Sequence, residues 1–313
     1  MIVTVESKAK PCPGVERAIA LAEEVLGRGE VLYSVGQLIH NRREIERLTG
    51  MGLLQIEHGE LAELCRKEEF DEAHFLSRTH GESEELLNKV RECGFKIVDA
   101  TCTIVRHSQD LVDEHVRKGY GIVIAGNKSH PEVMGLLTRT RGCGIVVSSR
   151  EEAENQDLDN RSVLLAQTTI DPVLFSEVRR VLSAKLSNLR IVDTTCRFLR
   201  KRQSEVAAFS SQFDVVLVVG GNKSANCQLL HNVALEVNER SYKVEGLEDV
   251  NEKWFDPDDR VGILGGASTP RWQLEEMKSY LNNHRMQKNP KGLKDRKGGK
   301  FLWWTRKNMN STE

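Results

Sequence analysis

The sequence predicts an α/β protein of three equivalent units with parallel sheets set around a common centre, and three observations predict it. The stretch Phe95-Lys96-Ile97-Val98-Asp99-Ala100-Thr101-Cys102 returns as Leu189-Arg190-Ile191-Val192-Asp193-Thr194-Thr195-Cys196, at an offset of 94 with five of eight positions identical. A third cysteine, Cys12, stands 90 residues before Cys102 and also follows an apolar run, Ile2 to Val5. The other apolar runs are short, continuous and separated by helical patterns, which is how parallel sheets covered on both faces read.

In chain order, the run Ile2 to Val5 opens the first unit as a buried strand. Pro13, just past Cys12, suits a first helical turn. Val15, Ala18, Ile19, Ala22, Val25 and Leu26 then follow at helical spacing until Gly27 and Gly29 end the helix. Val31-Leu32-Tyr33-Ser34-Val35 leads through Gly36 to a polar loop ending at His40. Ile122-Val123-Ile124-Ala125 matches it at offset 90, with Gly126 for Gly36 and His130 for His40. Val215-Val216-Leu217-Val218-Val219 matches in turn at offset 95, so that Gly126-Asn127-Lys128-Ser129 becomes Gly221-Asn222-Lys223-Ser224. A further run recurs three times. His74-Phe75-Leu76 enters Ser77-Arg78-Thr79-His80-Gly81, Val163-Leu164-Leu165-Ala166 enters Gln167-Thr168-Thr169, and Val261-Gly262-Ile263-Leu264 enters Gly265-Gly266-Ala267-Ser268-Thr269.

These offsets divide the chain into units 1–95 (with Cys12), 96–189 (with Cys102) and 190–285 (with Cys196), followed by a tail 286–313. In parallel sheets the loops at the strands' carboxyl ends form the binding crevice. Each unit therefore offers one cysteine and two polar loops on one rim, and three units around an axis place them about one pocket.

Composition sets the class. With 39% apolar and 29% charged residues in 313, the chain reads as a soluble protein too long for one ordinary core. No apolar run approaches the ~20 residues of a membrane span, and MIVTVESKAK lacks the order of a secretory signal. The expected location is cytoplasmic. In a reducing compartment the seven cysteines are expected as packing residues, metal ligands or catalytic groups rather than disulfides. Cys65, Cys93 and Cys143 fall outside the repeat and are expected to pack or lie at the surface; Cys227 lies beside the loop Ser224-Ala225-Asn226. The net charge is −1, but residues 288–313 hold eight Lys/Arg and two acids, or +6, leaving about −7 elsewhere. That basic tail reads as disordered and solvated, and its Phe301-Leu302-Trp303-Trp304 run offers a hook for an unknown partner. No nucleic-acid partner is expected.

Three thiolates from separate units suit a tetrahedral zinc or an iron–sulfur cluster. No CxxC pair of the usual structural-zinc kind occurs. Three cysteines on a four-iron cluster would leave one iron open as a Lewis acid beside a source of electrons. Helix N-termini after the cysteines are expected to lower their pKa. Three structural cysteines would have no reason to fall at equal offsets. The loops add His40, His80, His130, Thr168, Ser224, Asn226 and Ser268, neutral donors able to hold a phosphate or diphosphate. His130-Pro131-Glu132 sets a carboxylate beside a pocket histidine. Glu132 is then either a desolvated proton donor of raised pKa or an exposed acid of a helix's first turn.

These motifs resemble the 4-hydroxy-3-methylbut-2-enyl diphosphate reductase (LytB/IspH) family over roughly residues 1–285. Cys12-Pro13-Gly14-Val15-Glu16-Arg17-Ala18, His40-Asn41, Thr79-His80-Gly81, Asp99-Ala100-Thr101-Cys102, His130-Pro131-Glu132-Val133, Gln167-Thr168-Thr169, Cys196, Ser224 with Asn226, and Gly266-Ala267-Ser268-Thr269-Pro270 carry the resemblance in order. It implies a trefoil of three α/β domains around a central 4Fe–4S cluster held by Cys12, Cys102 and Cys196. It implies that His40, His80, His130, Ser224, Asn226 and Ser268 hold the diphosphate, and that Glu132 with Thr168 delivers protons. The implied reaction removes a hydroxyl with two electrons and two protons, giving isopentenyl and dimethylallyl diphosphate in the non-mevalonate pathway. A ferredoxin or flavodoxin is the implied electron donor.

The chain departs from the family pattern at several places. Arg197-Phe198-Leu199-Arg200-Lys201 follows Cys196, so Leu199 stands where the family has a substrate-facing threonine, although Arg202-Gln203 is kept. Ala225 replaces one of two serines, Lys10-Pro11-Cys12-Pro13 replaces Gly-Phe-Cys-Ala, Arg271 stands where an acid is common, and Leu264 replaces a small or hydroxyl residue. Each lost donor to a charged ligand is worth ~1.5–3 kcal/mol, which Arg197, Arg200 or Lys201 could restore. Two other readings follow: a family paralogue acting on a different hydroxylated substrate, and a non-catalytic iron–sulfur sensor or binding protein.

Overall fold

The computed structural model describes residues 1–67 and 72–288. The first third runs β1 (Ile2–Val5), α1 (Pro13–Gly27), β2 (Leu32–Val35), α2 (Arg42–Gly50), β3 (Leu53–Ile56), α3 (His58–Lys67), β4 (His74–Leu76) and α4 (Glu84–Glu92). The second runs β5 (Lys96–Val98), α5 (Thr103–Arg117), β6 (Gly121–Ala125), α6 (Pro131–Arg139), β7 (Gly144–Val147), α7 (Arg150–Asn155), β8 (Ser162–Ala166) and α8 (Pro172–Lys185). The last runs β9 (Arg190–Ile191), α9 (Arg197–Ser210), β10 (Val215–Val219), α10 (Ala225–Val237), β11 (Ser241–Val244), β12 (Arg260–Gly265) and α11 (Arg271–Lys288).

The strands form three four-stranded sheets in the orders β3-β2-β4-β5, β7-β6-β8-β9 and β11-β10-β12-β1, every pair parallel. The three orders are one pattern. The fourth place is taken by the strand that begins the next sequence unit, and in the third sheet by β1, whose Ile2 to Val5 pair with Arg260 to Ile263. The N-terminal strand thus closes the ring. Sequence unit and sheet are out of step by one strand: the cut at 95 falls before β5 and that at 189 before β9, yet both strands hydrogen-bond to the preceding sheet.

Each sheet is covered on both faces. For the first, α1 and α2 bury Val15, Ala18, Ala22, Leu48 and Ile45 against Leu32, Leu53 and Leu76. Its other face packs Val35, Ile56 and Phe75 against Leu86 and Val90 of α4. The central strands β8 and β10 are buried at every residue, which is why they read as unbroken apolar runs. Among the described residues no helix is long and apolar enough to cross a membrane.

Two expectations change here. Cys65 and Cys93, expected to pack or lie at the surface unpaired, form a disulfide. α3 and the end of α4 flank the same outer face of the first sheet and bring these residues' Cα atoms to 5.2 Å, within bridging reach; their separation of 28 residues conceals this in the sequence. The tail boundary at 286 also moves, because α11 continues to Lys288. Residues 289–313, with the Phe301-Leu302-Trp303-Trp304 run, lie outside the described residues.

Candidate active site

The chain enters the centre three times by the same route. β1, β5 and β9 each lead to a cysteine at the N-cap of a helix: Cys12 before α1, Cys102 before α5, Cys196 before α9. Each cysteine N–H donates to a carbonyl in the loop after the neighbouring strand: Cys12 to Ala267 at 2.8 Å, Cys102 to Thr79 at 3.0 Å, Cys196 to Thr168 at 2.9 Å. The three thiols are free and line one central cavity of about 100 Å³. At Gly14 a Cβ would come within 2.9 Å of the Cys102 Sγ, so α1 meets that thiol only through a glycine.

Among the described residues, the group of three potential ligands whose atoms lie within 4.8 Å of one another is His40, His80 and His130, not the cysteines. A tetrahedral zinc would hold thiolates about 3.8 Å apart. The wider thiol triangle suits a multi-iron cluster. At Cys12 and Cys196 the shift runs opposite to the expected lowering. Burial pushes Cys12 up to about 11, and the sulfurs of Cys102 and Cys196 raise it further. Burial also raises Cys196, with Cys102 and Glu132 adding to it. Helix N–H groups oppose the shift at both sites and lose to desolvation. Thiolates in so desolvated a pocket would need a cationic partner.

The facing wall is polar. The loops after β2, β6 and β10 supply His40, His130 and Ser224; those after β4, β8 and β12 supply His80, Thr168 and Ser268. His130 caps α6, its Nδ1 accepting from Glu132 N at 3.2 Å. Ser224 caps α10, accepting from Cys227 N at 3.2 Å. The ring centroids of His40 and His80 lie 4.4 Å apart, and His130 lies 5.8 and 5.4 Å from them. Desolvation holds His40 below its ordinary range, helped by the Arg78 and Lys223 charges. Desolvation holds His80 well below it, with His40, His130 and Arg78 contributing. His130 falls to about 4 for the same first cause, then through His40 and Arg78. All three imidazoles are therefore neutral near pH 7. His40 Nε2, His80 Nδ1 and both amide atoms of Asn226 are buried without a hydrogen-bond partner among the described residues. Four of the ten such atoms among the described residues line this one cavity, and the three that can donate fit a polyoxygen anion.

Glu132 stands between the two walls. It is 1% exposed, so it is not the exposed first-turn acid that the sequence left open. Its Oε1 accepts from Thr168 N and its Oε2 from Thr168 Oγ1, each at 2.7 Å. Burial raises it to about 7 although both Thr168 bonds pull the other way. An acid half protonated near neutrality can hold and release a proton in this cavity.

All the site residues anticipated from sequence line this one cavity. The lining also includes Gly14, Val15, Ile39, Thr79, Ile104, Val105, Thr169 and Ala267, which sequence reasoning did not single out as site residues. Thr79 could have been found, since it stands to Cys102 as Thr168 stands to Cys196.

The departures separate by position. Leu199 and Ala225 both line the cavity. Arg197, Arg200 and Lys201 do not: all three are exposed, and Arg200 pairs with Asp193 at 3.0 Å. They cannot restore donors inside, because the first turn of α9 turns Leu199 inward and the basic residues outward. Arg202 survives for a structural reason, a buried two-bond pair with Glu6 at 2.8 and 2.6 Å. Leu264 lies in the core between β12 and α10. Cys227 lies there too, its thiol pushed up to about 12 by burial, and is absent from the cavity wall.

Comparison with known proteins points one way. The LytB protein family model matches residues 3–282. A 4-hydroxy-3-methylbut-2-enyl diphosphate reductase of Aquifex aeolicus is 35% identical over 276 residues, covering 86% of this chain and 92% of that protein. One of Caldanaerobacter subterraneus subsp. tengcongensis is 33% identical over 279 residues, covering 88% and 95%. A solved structure of (E)-4-hydroxy-3-methyl-but-2-enyl diphosphate reductase, described as the terminal enzyme of the non-mevalonate pathway, matches with a TM-score of 0.69 at 32% identity, over 90% of this chain and 100% of that one. The E-1-hydroxy-2-methyl-but-2-enyl-4-diphosphate reductase of Plasmodium falciparum matches with a TM-score of 0.78 over 90% and 88%; at 21% identity it speaks to the fold alone.

Proposed function

This chain belongs to the LytB protein family, and from that premise we propose that it reduces 4-hydroxy-3-methylbut-2-enyl diphosphate to isopentenyl and dimethylallyl diphosphate. The observation that carries the reading is the meeting, in one cavity, of three free thiols, a buried protonatable Glu132 and unpartnered polar atoms on His40, His80 and Asn226. Cys12, Cys102 and Cys196 would hold a 4Fe–4S cluster, which when bound supplies electrons and a Lewis-acidic iron.

The remaining steps belong to the chain's own residues. His40, His80 and His130 with Ser224 and Asn226 bind the diphosphate through N–H and O–H donors, and Ser268 joins them when its O–H turns from the His40 carbonyl it holds at 3.1 Å. Arg78 and Lys223 lend positive field from outside the lining. Val15, Ile39, Val105 and Leu199 give the C5 chain an apolar side and keep water out. The C–O bond to the hydroxyl breaks as two electrons enter, and the hydroxyl leaves as water on taking a proton. A second proton, added at one or the other end of the three-carbon allyl unit, gives isopentenyl or dimethylallyl diphosphate. Glu132 holds the proton to be delivered, and the Thr168 hydroxyl, 2.7 Å from its Oε2, fixes the carboxyl in place. The electron donor is a ferredoxin or flavodoxin, for which exposed Arg197, Arg200 and Lys201 beside Cys196 give an acidic carrier a basic landing place.

The test is anaerobic. The purified protein should carry about four irons and four sulfides per chain. With dithionite and a mediator it should convert the C5 hydroxy-diphosphate to both products. A four-iron protein that yields neither product would favour a second reading, a paralogue with another hydroxylated substrate, for which Leu199 on the cavity wall is the specific observation. A colourless zinc protein would overturn both.

A further inference from the structure

We propose that Gln273, outside the cavity wall, is a positioning residue that fixes two of the diphosphate-holding loops against each other across the seam between the first and third sheets. The inference rests on the diphosphate reading above.

Gln273 sits in the first turn of α11 and is 1% exposed, as is Asn41, the cap of α2. The two amides face each other. Asn41 Nδ2 donates to Gln273 Oε1 at 3.0 Å, and Gln273 Nε2 donates to Asn41 Oδ1 at 2.9 Å. Asn41 uses its second N–H on the Ser268 carbonyl at 2.9 Å and its second lone pair on Glu44 N at 3.0 Å. A side-chain amide has two donors and two acceptor sites, so every one on Asn41 is engaged. Next to it, Ser268 Oγ donates to the His40 carbonyl at 3.1 Å. A Cβ on Gly221 would come within 2.3 Å of that same carbonyl, so the loop after β10 also presses there. His40 from the first sheet and Ser268 from the third are thus tied through one saturated amide, and Gln273 closes it.

An apolar side chain at position 273 would itself bury without a desolvation cost. The buried amide there is tolerated because its oxygen and its nitrogen are both bonded to Asn41. Removing it leaves Asn41 with an unused donor and acceptor in a dry site, and the side chain must turn to replace them. Turning loosens its hold on the Ser268 carbonyl. The seam itself would survive, because Arg43 pairs with Glu276 at 2.6 and 3.1 Å and Trp272 Nε1 donates to Glu44 at 2.8 Å. The effect therefore belongs to ligand geometry more than to cohesion.

The experiment measures the Kd of inorganic pyrophosphate by calorimetry on the anaerobic, cluster-loaded protein, together with its thermal midpoint. Gln273→Met, which keeps the length and removes the amide, should weaken pyrophosphate about 5- to 20-fold, as two neutral hydrogen bonds allow. Trp272→Phe breaks a seam bond without touching the amide pair and should stay within about twofold of wild type. Binding by Gln273→Met within twofold of wild type overturns the proposal. So does equal weakening by Trp272→Phe, which would make the seam's cohesion the cause. If Gln273→Met does not fold, Gln273→Glu, which keeps an acceptor and loses the donor, is judged by the same outcomes. A wild-type protein that binds no pyrophosphate overturns the diphosphate reading and this inference with it, whereas normal wild-type binding with an unaffected variant overturns this inference alone.

Discussion

The two walls of the central cavity follow different rules. On the thiol side the three sheets do the same thing three times, each cysteine capping a helix and donating its N–H to an equivalent loop. On the polar side the equivalent loops do different things. They present His40, His130 and Ser224 after one set of strands and His80, Thr168 and Ser268 after the other. Repetition gives a group of high symmetry three like ligands at like positions. Divergence gives a ligand with a charged head and an apolar chain a head site, a chain wall and one acid. On the proposed reading, the repeated thiols would serve the cofactor and the unlike loops the substrate.

If that division holds, changes on the two walls have separable effects. The largest is on the thiol wall. Cys102→Ser should lose iron and fall to background turnover, since two thiols cannot retain the cluster; iron analysis and the visible spectrum check this. Next is Glu132→Gln, which should keep its iron and lose about 10²–10⁴ in kcat, the usual worth of a positioned proton donor. The pH profile sharpens the same point. Burial raises Glu132 to about 7, and a donor must be protonated, so activity should be full below that value and fall tenfold per unit above it. His130 adds no limb from pH 6 upward, because it is already neutral above about 4. Glu132→Asp should move the inflection without abolishing it.

Smaller effects come from the polar wall. Asn226→Leu fills the place of two unpartnered amide atoms and should raise KM about 10- to 100-fold, with kcat within a few-fold and iron unchanged. The smallest comes from Leu199→Thr, which returns a hydroxyl to the cavity and should lower KM by about two- to tenfold, the worth of one neutral hydrogen bond.

The thiol wall was the more legible in the sequence, and the reason is physical. A cysteine that must cap a helix at the end of a strand needs a strand, a small turn and a helix start in fixed order, and Ile191-Val192-Asp193-Thr194-Thr195-Cys196 repeats that order from Ile97 to Cys102. The sheets were less legible because the hydrogen bonds of β5 and β9 go to the preceding unit, which the spacing of cysteines does not encode. Spacing alone left Glu132 open between a desolvated proton donor and an exposed first-turn acid, because the Thr168 loop that covers it is distant in sequence. The Cys65–Cys93 disulfide and the Asn41–Gln273 amide pair join residues that only packing brings together. The basic residues after Cys196 were misplaced for a simpler cause: one helical turn decides which of Leu199 and Arg200 faces in, and composition does not.

The most direct test of separable walls is a paired measurement on Asn226→Leu and wild type: iron and sulfide per chain, and KM for the C5 hydroxy-diphosphate, on the same anaerobic preparations. The account predicts about four irons in both proteins and a KM at least about tenfold higher in the variant. Loss of iron from the variant, or an unchanged KM with the cluster intact, would contradict it.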